Sequence, residues 1–165
     1  MRQRARSAQT LPSAQILAGW LTLLGAVGLF LSLFLTWSHQ LPRSVLAVAG
    51  SSPALRGVPR DPTAWQVYSI ADVLLALLAL ALLVVALAGR SRGARLGVLL
   101  AGAVGIAFVV HALSVPPTNG VLVLDPVASS PRYVSSAATS GAGEVVALLS
   151  LALAGAGLVL SLATD

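Results

Sequence analysis

The chain has no cysteine and no lysine, and only five acidic residues among its 165. The first absence excludes disulfides, thiolate metal sites, cysteine nucleophiles and redox CxxC chemistry. The second leaves arginine to supply all ten basic side chains. Charged residues make up only 9% of the chain, against about 25% in an ordinary soluble domain. Catalytic signatures are missing too. There is no GxSxG, P-loop, HExxH or GxGxxG pattern, and no HxxxH or HxxE ligand spacing. The expectation is therefore a protein that is not an enzyme and that needs no cofactor and no metal.

What the chain does have is apolar runs too long for one face of a soluble helix. The stretch Asp61–Gly89 organises it, with sixteen consecutive residues, Val73 to Ala88, lacking a polar side chain. About 20 apolar residues suffice to cross a bilayer. Four such spans are expected, near 14–37, 62–89, 96–115 and 141–162, after a basic tail at 1–13. The expected fold is an all-α membrane protein, a four-transmembrane-helix bundle in residues 14–165, with two long outer loops. The basic start followed by an apolar run mimics a signal peptide. The run Ile16–Trp37 exceeds the about 7–15 residues of a cleaved h-region, and Ala47-Val48-Ala49 lies far beyond it, so an uncleaved first span is expected.

Asp61-Pro62 reads as a helix start, the carboxylate capping and proline occupying the first helical position. Pro116-Pro117 stops the third span. Asn119-Gly120 reads as a turn, Val121–Leu124 as a short strand and Asp125-Pro126 as its end. Val45–Ala49 is a second β-prone island, and pairing of the two islands would make a small cap over the outer face. Six arginines (2, 4, 6, 90, 92, 95) lie in the tail and the tight turn at 90–95, and four (43, 56, 60, 132) are spread over the long loops. The positive-inside rule then puts both termini in the cytoplasm, in a multi-pass protein of the cell membrane. It also accounts for the net charge of +5 without a nucleic-acid partner.

Three features stand out. Asp72, His111 and Glu144 come from three different spans at one depth near the outer ends, with His39 on the same side. They form a candidate intramembrane polar layer in which Asp72 is expected to meet His111. Acids inside a span are expensive and often functional, although interhelical hydrogen bonding explains them as well. Trp65 and Tyr68 are placed on the same helix face as Asp72, as an interfacial anchor or a ligand-facing lip. Gly93, Gly97, Ala101 and Gly105 form a ladder of small residues every fourth position, a candidate helix-packing seam with Gly155 and Gly157 as plausible opposite contacts. Gly25-Ala26-Val27-Gly28 recurs as Gly102-Ala103-Val104-Gly105 at an offset of 77 residues. That offset also places Val67 on Glu144 and raises the idea of duplicated hairpins.

A span ending Leu33-Phe34-Leu35-Thr36-Trp37, an outer loop, then Ala64-Trp65-Gln66-Val67-Tyr68 leading into Asp72-Val73-Leu74-Leu75, resembles a group of small four-span membrane proteins of high-GC Gram-positive bacteria. The resemblance covers mainly the first two spans. It implies the four-span architecture and brings no activity, since the group has none assigned. The expected function is an accessory or interaction subunit of a membrane assembly. Its partners would be the lipid bilayer and a protein contacting the outer loops or the small-residue seam, with a homo-oligomer also open. The alternative is a small transporter or channel using Asp72 and His111.

Overall fold

The structure is a computed structural model that describes residues 11–40, 60–68, 70–88, 91–116, 121–124, 131–134 and 138–164. Its elements in chain order are α1 (Leu11–Ser32), β1 (Ser38–His39), α2 (Ala64–Val67), α3 (Ala71–Ala88), α4 (Arg92–Ser114), β2 (Val121–Leu124), β3 (Pro131–Val134), β4 (Thr139–Ser140) and α5 (Ala142–Ala163). Helices α1, α3, α4 and α5 are each long and apolar enough to cross a membrane. They run alternately up and down. One end of the bundle carries the short strands; the other carries the α3–α4 turn with Arg92 and Arg95. Arg95 Nη1 donates to Ser161 O at 3.4 Å, tying the start of α4 to the end of α5.

α1 packs most extensively on α5 and next on α3, α4 packs on α5, and α3 and α4 touch least. The core runs along the axis through Leu29, Leu33, Trp37, Leu75, Leu82, Val109, Leu151 and Leu158. The buried residues of α5 include Gly143, Ala147, Ser150, Ala154 and Gly157. These positions alternate steps of four and three, which keeps one face of a helix on its neighbours. The α1 face opposite is Ala18, Thr22, Gly25 and Leu29. Gly25, Gly28 and Gly157 make this seam close. A Cβ on Gly25 would lie 2.5 Å from Ser150 O, and one on Gly157 would lie 2.5 Å from Thr22 Oγ1 and 2.7 Å from Ala18 O. A Cβ on Gly28 would collide with Ser150 Oγ.

Three boundaries differ from the sequence expectation. α1 ends at Ser32 and not at Trp37. Its last turn tightens, with Leu35 N–H donating to Ser32 O at 3.1 Å, three residues back. Trp37 then folds its indole back to donate to the same carbonyl at 2.8 Å. The second span, expected unbroken from 62, is interrupted: α2 is four residues long, and Tyr68 is extended at φ −113°, ψ 134° before α3 begins. The cap of α2 is Thr63, not Asp61, and its N–H donates to Gln66 Oε1 at 3.1 Å, half of a capping box. The basic turn, expected at 90–95, is largely helix, because Ser91 Oγ accepts from the Ala94 N–H at 3.1 Å and starts α4 at Arg92. The fourth span falls where expected.

Two small antiparallel sheets lie at the strand end among the described residues. β2 is the strand expected at Val121–Leu124. It pairs with β3, Val121 opposite Val134 and Leu124 opposite Pro131, so its partner is the following segment of the same loop. The Val45–Ala49 island lies outside the described residues.

Candidate functional site

Residues 36–40, after α1, close the strand end by running as a central strand. On one side β1 pairs with β4, Ser38 opposite Ser140 and His39 opposite Thr139. On the other, Thr36 bridges Thr63, Trp37 N–H donates to Pro62 O at 2.9 Å, and Gln40 N–H donates to Arg60 O at 3.1 Å. The start of α5 docks on the same segment: Gly141 N–H donates to Trp37 O at 3.0 Å and Gly143 N–H to Thr36 O at 2.7 Å. Both glycines are required by this approach. A Cβ at Gly141 would strike Thr36 O, and one at Gly143 would strike the Trp37 indole.

Side chains along this strand alternate, as the strand period of two demands. Ser38 and Gln40 are buried, and His39 between them is exposed. His39 Nδ1 lies 2.6 Å from Asp61 Oδ1, a solvent-facing pair that ties β1 to the start of α2. The Asp61 carboxylate is thus engaged by an imidazole, not by a helix N-terminus.

Beneath the strand, Trp37 is fully buried. Its ring meets Tyr68 edge to face at 5.8 Å, and Tyr68 meets Phe108 of α4 in the same way at 5.2 Å. This aromatic chain crosses the bundle and explains the break before α3: an extended Tyr68 turns its ring inward. Burial, with a smaller contribution from the Glu144 carboxylate, pushes the Tyr68 hydroxyl up to about 12. Trp65 points the other way, exposed and tilted against Phe34 at 6.1 Å. The expectation that Trp65 and Tyr68 share the Asp72 face therefore fails, because it assumed an unbroken helix.

The three members of the expected polar layer separate. Asp72 and Glu144 are both buried in the first turns of their helices, at the same end of the bundle. There the helix dipole favours a carboxylate. Asp72 Oδ1 accepts from the Val73 N–H at 2.8 Å. His111 is exposed, because the buried face of α4 runs through Gly105, Val109 and Ala112, and position 111 lies to the side of it. No hydrogen bond or ion pair joins Asp72 to His111 among the described residues. Equal height did not bring them together, because height along the helix says nothing about direction around it.

Sequence reasoning missed Ser38 and Gln40. Ser38 Oγ, both polar atoms of the Gln40 amide and both Glu144 carboxylate oxygens are buried without a hydrogen-bond partner. The only hint in the sequence was three polar residues, Ser38-His39-Gln40, directly after a tryptophan.

The small-residue ladder on α4 is mostly outward. Gly93, Gly97 and Ala101 are exposed, and a Cβ at either glycine would meet nothing within 4 Å. Gly105 is buried at a seam, where an added Cβ would lie 3.0 Å from Leu78 Cδ2, and Ala101 borders the same groove between α3 and α4. Gly157, placed opposite this ladder by sequence reasoning, packs against α1 instead, and Gly155 has open space around it. No group of three potential metal ligands occurs among the described residues. The chain matches no protein-family model, no curated protein and no solved structure.

Proposed function

We propose that this chain is a multi-pass protein of the cell membrane and a non-catalytic interaction subunit of a membrane assembly. The bundle surface supports insertion. Ile70, Leu87, Leu100 and Val104 are among many large apolar side chains turned outward, each about 70% exposed. A water-soluble bundle reserves that face for polar groups. The arginines of the tail and of the α3–α4 turn support a cytoplasmic position for both termini. Cysteines placed at the exposed Ser140 and Ser91 distinguish the two sides. An impermeant thiol reagent added outside should label the first and spare the second, and the reverse pattern defeats the orientation.

The observation that carries the interaction role is the position of α4. Only 17% of its span is buried, against 28–33% for the other three. It is also the helix that turns Gly93, Gly97 and Ala101 outward. Small residues allow a second helix backbone to approach closely where large ones do not, so α4 is the helix the bundle leaves for a partner. Transport through Asp72 and His111 lacks that support: the two do not meet, and the cavities at the helix seams are lined by apolar side chains and glycine. Cysteines at Gly97 and Ala101 should cross-link in native membranes to one defined neighbour, either another protein or a second copy. Labelling there by a lipid-soluble reagent as complete as on the outward face of α1, with no cross-linked product, would defeat the reading.

A further inference from the structure

We propose that the groove between α1 and α3 holds one acyl chain of a membrane phospholipid, which enters past Trp65 with its phosphate toward Arg60. The inference rests on the membrane reading and not on the interaction role of α4. The groove has a volume of about 460 Å³, and its lining is aliphatic and aromatic throughout. Ligand pockets run from about 300 to 1,000 Å³, mostly apolar with a few polar groups that fix orientation.

Side-chain size shapes the groove. Ala26 of α1 and Ala79 of α3 are almost fully buried and form its floor, while Phe30, Leu77 and Leu80 are about half exposed and form its walls. Small residues set back between large ones leave a channel. A second helix needs small residues where its backbone lands, as α4 offers at Gly93, Gly97 and Ala101. Walls of phenylalanine and leucine keep a helix out, and a flexible hydrocarbon chain fits between them.

Length and ends identify the chain. Along α3 the lining runs from Val73 to Leu83, about 15 Å at 1.5 Å per residue. That is half of the about 30 Å hydrocarbon core, the depth of one leaflet. Val73 lies in the first turn of α3, so the groove opens at the strand end. Trp65, turned outward by the break before α3, stands there and leans on Phe34, which meets Phe30 edge to face. An indole suits the ester level of a bilayer, where its body is apolar and its N–H can reach an oxygen. Arg60 comes three residues before the α2 cap at Thr63, at most about 11 Å away along the chain. It is exposed and makes no ion pair among the described residues, while Asp61 beside it is engaged by His39. A guanidinium at that depth complements a phosphate. The α3–α4 groove has no tryptophan at its mouth and adjoins the α4 face left for a partner.

The test is native mass spectrometry of the purified full-length chain in mild detergent, stripped of lipid and titrated with phosphatidylglycerol, phosphatidylcholine or inorganic phosphate. Phosphatidylglycerol should saturate at one molecule per chain, bind several-fold more tightly than phosphatidylcholine, and resist displacement by inorganic phosphate. Ala76→Phe, which fills the groove, should weaken both lipids several-fold while keeping the wild-type helix content. Arg60→Gln should remove the preference for phosphatidylglycerol. Gly97→Leu on α4 should bind as wild type. The site is overturned if neither lipid saturates, if Ala76→Phe and Arg60→Gln both bind as wild type, or if Gly97→Leu is the variant that loses the lipid. Should Ala76→Phe not fold, Trp65→Ala takes its place, and wild-type binding in both Trp65→Ala and Arg60→Gln overturns the site. A chain recovered in the membrane fraction that binds no phospholipid defeats this site alone; a chain recovered outside membranes defeats the membrane reading with it.

Discussion

Helices α1 and α5 are far apart in sequence and closest in space. Helices α3 and α4 are separated by residues 89–91 alone and touch least among the packed pairs. The first seam is built on glycine. Gly25, Gly28 and Gly157 let backbone meet backbone, with Ser150 and Ala154 opposite. The second is built on leucine. Leu74, Leu75 and Leu78 face Ala101, Val104 and Phe108 across an open apolar groove of about 440 Å³. Where both the inward and the outward faces of the helices are apolar, hydrophobicity does not choose between seams. Close approach does, through dispersion contacts that grow with complementary shape. A short connection forces two helices to be neighbours, but it does not make them pack.

The same comparison bears on the repeated GAVG. Packing within the hairpin α1–α3 resembles packing within α4–α5. The contacts between hairpins are unlike, since α1–α5 is close and its counterpart α4–α3 is loose. Gly25 and Gly28 sit against backbone and a serine, whereas Gly102 has open space and Gly105 meets only the ends of leucine side chains. If a duplication produced the motif, its copies have diverged in what they hold.

The contrast can be broken at chosen positions. The largest effect is expected at Gly25, where valine would drive its branches into Ser150 O and Ala154 N, at 2.5 and 2.6 Å from the Cβ position alone. Backbone cannot give way, so Gly25→Val should cost more than about 4 kcal/mol and yield little folded protein. Gly25→Ala should cost about 3 kcal/mol, at the upper end of overpacking. Unfolding curves in detergent measure both, and a wild-type midpoint for Gly25→Ala would show that α1 and α5 are not in contact.

Trp37→Phe comes next. It keeps most of the aromatic packing and removes one of two donors to Ser32 O, which retains the Leu35 N–H, so the loss is that of a single hydrogen bond, about 0.5–1.5 kcal/mol. The same unfolding curves test it, and a midpoint equal to wild type would show that the indole bond contributes nothing. The alkaline limb tests the aromatic chain around Tyr68. Its hydroxyl is held up to about 12, against about 10 in an unfolded chain. Between those values the unfolded state releases a proton that the folded state keeps, so stability is constant below about pH 10 and falls as pH rises toward 12. Tyr68→Phe should flatten that limb. A slope unchanged in Tyr68→Phe would remove Tyr68 as its cause.

At the loose seam, Gly105→Ala should change stability by less than about 1 kcal/mol, because the atom it approaches is the mobile end of Leu78 and helix propensity repays part of the contact. The smallest intramolecular effect is expected at Gly97. Alanine there meets nothing and should be neutral or raise stability by up to about 1 kcal/mol. Gly97→Leu should leave the purified chain folded and reduce cross-linking to the α4 partner. A large loss of stability from Gly97→Ala would mean that α4 is packed inward, and the comparison would then collapse.

Much of the fold was legible because apolar length is a one-dimensional property. Four runs of membrane-spanning length needed only counting, and Val121–Leu124 was recognisable by its β-prone composition. The candidate site was less so. Glu144 was placed in the first turn of its helix, where it is found, but Asp72 was placed inside an unbroken span and lies instead in the first turn of α3, bonded to the Val73 N–H with His111 turned outward. Height follows from counting residues at about 1.5 Å each, whereas the direction of a side chain depends on which face of α4 turns inward. Ser38 and Gln40 looked like ordinary loop residues, because their burial comes from a strand whose partners lie more than 20 and about 100 residues away in the chain.

What the sequence by itself determined is the class of object: helices long and apolar enough to cross a membrane, no thiol chemistry, no known catalytic motif, and six of the ten arginines in the tail and the turn at 90–95. Composition and run length settle these whatever the helices do with one another. What only the tertiary structure decided is which faces meet. Glycines at 25, 28 and 157 became a seam while glycines at 93 and 97 became a surface, and the carboxylate of Glu144 came to be fully buried at the start of α5. The physical reason is that a glycine offers close approach in every direction at once. Only the placement of a second backbone determines which offer is taken.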